Sequence, residues 1–89
     1  MIKQNYVFVL GKVSKIESTG DAINFCFKYK FQKITFNECI STIDPVNYDS
    51  LIWIKISTVN PELFEKDPSI VPEYIIKKPN FDTCWTTLP

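Results

Sequence analysis

The chain contains no histidine and no arginine, only two glycines, and three cysteines with no C-x-x-C spacing. Each shortage closes off a class of chemistry. Without histidine there is no Ser-His-Asp or Cys-His nucleophile pair and no histidine-ligated metal site. Without arginine there is no bidentate grip on phosphate or guanine, and the formal net charge of zero gives nucleic acid little to hold. The two glycines, Gly11 and Gly20, stand nine apart and match no glycine-rich phosphate loop. No C-x-x-C means no thioredoxin-type redox motif and no zinc knuckle. No apolar run approaches the length of a membrane span, and Tyr6–Leu10 is too short for the core of a signal peptide. An enzyme is therefore not expected, and neither is a cofactor or a metal.

What is present is a globular composition, 45% hydrophobic and 15% aromatic in 89 residues, enough for one small domain. The most ordered stretch is Ala22–Ile40. From Ile23 to Phe31 every odd position is large and apolar or aromatic, a strict period of two that predicts a strand with one buried face. Gln32-Lys33 interrupt it, and Ile34 and Phe36 resume it, which predicts a hairpin with a two-residue loop. In that register Phe31 faces Ile34, Tyr29 faces Phe36, Lys28 faces Asn37 and Cys26 faces Cys39. Pair types alternate along an antiparallel ladder, so Cys26 and Cys39 fall on a non-hydrogen-bonded pair, with Cα atoms roughly 4.5 Å apart and within disulfide reach. Cys84 is then left over. A bulge at Glu38 would shift the register by one and put the two thiols on opposite faces. The cysteine count leaves the redox compartment open.

The remaining segments add strands. Asn5–Glu17 predicts a first strand with a bulge or bend at Gly11, letting one long strand serve both sides of a curled sheet. Ser18-Thr19-Gly20-Asp21 is a turn, and Ser41–Ser50 a loop. Leu51–Ser57 is a strand with Ile52, Ile54 and Ile56 on one side and Leu51, Trp53 and Lys55 on the other. Five of the six prolines then lie between Pro61 and Pro89. Glu62–Asp67 is expected to form at most a helical turn, and the tail to wrap the sheet through Tyr74, Ile75, Ile76, Phe81 and Trp85. The expected fold is all-β: a small, strongly bent antiparallel sheet or partly open barrel of four to five strands. Residues 1–60 form its sheet core, and residues 61–89 form an extended proline-rich tail packed on it.

Gly11-Lys12-Val13, the Phe27-x-Tyr29 strand running into a two-residue turn, Trp53-Ile54-Lys55-Ile56-Ser57 leading to Asn60-Pro61, and the Pro79 to Pro89 ending resemble a group of small uncharacterised bacterial β-domains. Gln32-Lys33 stands where that group commonly has Asn-Gly. The group often carries a membrane helix or lipoprotein signal ahead of the domain, so the expected setting is either cytoplasmic or that of an envelope domain lacking its anchor. The resemblance implies a fold and no reaction, ligand or partner.

The candidate sites are few. The aromatic row Phe25, Phe27, Tyr29, Phe31 and Phe36 reads as core, with a stacking platform for bases or sugars as the alternative. Lys28, Lys30 and Lys33, with Lys12 and Lys15, read as a solvated face, or else as a basic patch. Asp44, Asp49, Glu62, Glu65 and Asp67 are loop carboxylates without the spacing of a calcium loop. Trp53, if exposed, is the better partner contact, while Trp85 is expected to plug the open end of the sheet. Together these residues point to a non-enzymatic binding domain whose partner is another protein, with Trp53, Trp85, Lys28 and Lys30 as candidate contacts. The alternatives are a small barrel of the oligonucleotide- or oligosaccharide-binding type and an immunity-type inhibitor of a toxin.

Overall fold

The computed structural model describes residues 5–43 and 50–89. The loop expected over Ser41–Ser50, with Asp44 and Asp49, lies largely outside the described residues. Within the described residues five strands form one antiparallel sheet: β1 (Tyr6–Thr19), β2 (Ala22–Phe31), β3 (Ile34–Thr42), β4 (Leu51–Ser57) and β5 (Phe64–Asp67), in the order β3-β2-β1-β4-β5. Among the described residues a single short helix, α1 (Glu73–Lys77), follows. The sheet curls into a half-barrel. The curl is visible in the rings: Phe64 on β5 reaches Phe27 and Tyr29 on β2, with centroids 5.5 and 6.1 Å apart, although β1 and β4 lie between them in the sheet.

The length of β1 makes the curl possible. Its first half pairs with β4 from Tyr6 to Lys12, and its second half pairs with β2 from Gly11 to Thr19. The break comes at Ser14, where Ser14 and Lys15 together occupy the place opposite Cys26, between the pairs Val13–Phe27 and Ile16–Phe25. This corrects the expectation at Gly11, which pairs regularly with both Tyr29 and Ile52. A side chain at Gly11 would instead meet Ile54 Cγ1 at 3.0 Å and Phe27 Cδ2 at 3.4 Å. Glycine is there to leave room for the core. The bulge re-phases the strand, so that Val13 and Ile16, three apart, face the same core.

Alternation gives each strand two faces, and here both are used. The inner face gathers Val9, Val13, Phe25, Phe27, Tyr29, Phe31, Ile54 and Ile56. The opposite face of β1 and β4 gathers Phe8, Leu10 and Trp53 under Val71 and Ile75 of the tail, with Phe81, Trp85 and Leu88 alongside. The tail is structural because these outward residues need cover. Removing a side chain of this size from water is worth roughly 1.5–3 kcal/mol. Trp85 also completes the backbone pairing: its N–H and C=O bond Phe8 at 2.9 and 2.7 Å, on the edge of β1 that β2 leaves open before Gly11.

Two local assignments of the tail are reversed. Glu62–Asp67, expected as a helical turn, contains β5, which pairs Phe64 with Ile56 and Asp67 with Trp53. The short helix lies instead at Glu73–Lys77, immediately after Pro72. Proline fixes a φ suited to a helix start and lacks an N–H that the first turn would leave unbonded. The sheet therefore runs to Asp67 rather than ending near residue 60.

Candidate interaction surface

The β2–β3 hairpin has the expected register throughout, from Phe31–Ile34 to Ile23–Thr42, with no bulge at Glu38. Its loop residues Gln32 and Lys33 have φ of 51° and 67°. Two left-handed residues in a two-residue loop make a type I′ turn, the geometry that matches strand twist, here built without asparagine or glycine. Cys26 and Cys39 are joined in a disulfide, with Cα atoms 4.0 Å apart, and Cys84 is free and exposed. Partial desolvation of its sulfur pushes the Cys84 thiol pKa up, although the residue as a whole is exposed.

The ladder also fixes which backbone groups point away from β2. Phe31–Ile34 closes the loop as a hydrogen-bonded pair, so Phe36, Glu38 and Ile40 turn their backbone groups toward β2. Thr35, Asn37, Cys39 and Ser41 turn theirs outward, to an edge on which no described strand pairs. The short Cα separation at Cys26–Cys39 is that of a non-hydrogen-bonded pair and agrees. The two edges of the sheet differ sharply. β5 has four residues, FEKD, set between Pro61 and Pro68, and such short, charged, proline-flanked strands repel edge pairing. β3 has nine residues, ITFNECIST, with no proline, no lysine and no bulge.

The inner face of β3 is incompletely covered. Ile34 is 58% exposed, and Phe36 and Ile40 are half-buried at the margin of the core. Phe36 stacks on its cross-strand neighbour Tyr29 at 5.1 Å. The Tyr29 hydroxyl donates a hydrogen bond to the Pro61 carbonyl at 2.9 Å, tying β2 to the turn before β5 across the mouth of the half-barrel. Burial, then the negative charges of Glu38 and Glu62, push the Tyr29 pKa up to about 12. The mouth is therefore apolar with an acidic rim.

The outer face of the same hairpin is basic. Lys12 stands directly opposite Lys28, and Lys30 pairs with Asp82 of the tail at 3.2 Å. A shallow cleft of about 240 Å³ lies between them, lined by Lys12, Lys28, Lys30, Thr35 and Phe81.

Of the expected contact residues, Lys28 is exposed and Lys30 half-buried on this face. Trp53 is a correction. It is 1% exposed, with its ring edge-on to Trp85 at 5.0 Å, because the tail covers the face on which it lies. It is not available to a partner. Trp85 is half-buried and lies on that covered face and on the edge of β1, rather than in the open end of the sheet. The aromatic row is core: Phe25, Phe27 and Tyr29 are at most 2% exposed, which leaves no platform for base stacking. Among the described residues no cluster of three or more metal-binding side chains occurs, and no helix is long and apolar enough to cross a membrane. The edge of β3 on which no described strand pairs has one signal in the sequence, the absence of lysine and proline from Ile34–Thr42. Comparison with family models, curated proteins and solved structures finds no match for this chain.

Proposed function

We propose that the chain is a protein-binding domain, not an enzyme, and that it accepts an extended segment of its partner as an added antiparallel strand along β3. The observation that carries this reading is the contrast between the two sheet edges. The four-residue, proline-flanked β5 is guarded, while the nine-residue β3 offers the outward backbone groups of Thr35, Asn37, Cys39 and Ser41. Strand addition draws affinity from main-chain hydrogen bonds and specificity from alternate side chains. An added strand would also cover Ile34, Phe36 and Ile40, extending the wall of the half-barrel. A nucleic-acid role finds less support, since the aromatic row is buried and the chain lacks arginine.

The test is selection of binders from a displayed library of random nine-residue peptides. Binders that lose affinity at least tenfold toward Asn37→Pro, while Asn37→Ala binds normally, support the reading, because proline removes an outward N–H and bars a neighbouring strand. Binders indifferent to Asn37→Pro, or no binders at all, would overturn it.

A further inference from the structure

Resting on that reading, we infer that the accepted segment carries a lysine or arginine opposite Glu38, flanked two residues away on each side by apolar residues. The inner face of β3 presents Ile34, Phe36, Glu38, Ile40 and Thr42 in turn, and Glu38 is the only ionisable residue of the strand. Its backbone groups bond to β2, so an added antiparallel strand meets Glu38 in a non-hydrogen-bonded pair, the arrangement in which facing side chains come closest. Directly facing opposite charges stabilise such a pair, and like charges oppose it. Glu62, close enough with Glu38 to act on the Tyr29 hydroxyl, adds a second negative charge at the same mouth. Positions two residues to either side of the basic residue fall over Phe36 and Ile40, both half-buried and in need of cover.

The same geometry disfavours a second copy of the chain, paired β3 to β3, as the occupant. A two-fold pairing of β3 with itself centred on Glu38 sets Glu38 against Glu38. Moving the centre to Asn37 or Cys39 sets it against Phe36 or Ile40, and moving it further leaves part of the strand unpaired. A partner with a cation between two apolar residues satisfies Phe36, Glu38 and Ile40 at once.

The experiment titrates the intact, oxidised chain with three synthetic peptides that differ only at the centre: Ser-Thr-Val-Thr-X-Thr-Val-Thr-Ser, with X lysine, glutamine or glutamate. Backbone amide shifts report binding. The expected order is lysine over glutamine over glutamate, with about tenfold between the extremes, and Glu38→Lys should reverse it. Equal affinity of all three for both the unaltered chain and Glu38→Gln, with binding still lost in Asn37→Pro, would overturn the charge rule and leave strand addition standing. No shift along β3 with any of the peptides would overturn both.

Discussion

Tyr29 does three jobs with one side chain. Its ring is core, stacked between Phe27 and Phe36. Its hydroxyl bridges the mouth to Pro61, and its proton is held against the charges of Glu38 and Glu62. The pH consequence follows from the sign of the shift. Above pH 10 the unfolded tyrosine ionises, whereas the folded one keeps its proton until about 12. Between those values the unfolded state holds fewer protons, so stability falls as pH rises through that window and is fully present below it. Tyr29→Phe should cost about 1 kcal/mol at neutral pH from the lost hydrogen bond. It should also lose less stability than the unaltered chain as pH rises from 10 to about 12. Urea midpoints of the two proteins across that range measure this. Parallel curves would show that the hydroxyl proton is not held by the fold.

At the scale of elements, the hairpin was the most legible part of the sequence. Strict alternation from Ile23 to Phe31 and a two-residue break predicted the cross-strand pairs and the adjacency of Cys26 and Cys39, because these are local relations, and the alternative register with a bulge at Glu38 does not occur. The turn is where the chain departs from the ideal, with Gln32 and Lys33 both left-handed. For side chains bearing a Cβ this costs roughly 1–2 kcal/mol per residue. Replacing the pair by Asn-Gly should stabilise the domain by about 1 kcal/mol, after allowing for the added freedom of glycine when unfolded. That raises Tm by roughly 4–8 °C. Lys33→Ala, which keeps the Cβ, should give no gain. An unchanged Tm in the Asn-Gly protein would mean the turn is not strained. The bulge was half legible: Val13 and Ile16 sit three apart, a spacing that regular alternation forbids for one face, yet Gly11 carries the commoner bulge signal. β5 was not legible, since a single apolar residue, Phe64, marks it, and its strand state comes from pairing with β4.

At the scale of the molecule, one sheet buries two faces by different means. The inner face curls upon itself, and the outer face of β1 and β4 takes the tail as its cover. The tail's role was readable from the cost of leaving so many apolar residues in water, but which tryptophan it would cover was not. Trp53 reads as outward on its strand and is outward; only the long-range packing of Val71, Ile75 and Trp85 buries it. The same long-range order leaves β3 at the end of the sheet, and no local pattern announces an edge. The central claim is that this edge is open and receives a strand. Amide hydrogen exchange, read residue by residue along β3 in the free chain and with saturating lysine-centred peptide, tests it most directly. In the free chain Thr35, Asn37, Cys39 and Ser41 should exchange quickly while Phe36, Glu38 and Ile40 are protected. With peptide the first set should become protected too. Outward amides already slow in the free chain, or still fast at saturation, would contradict the claim.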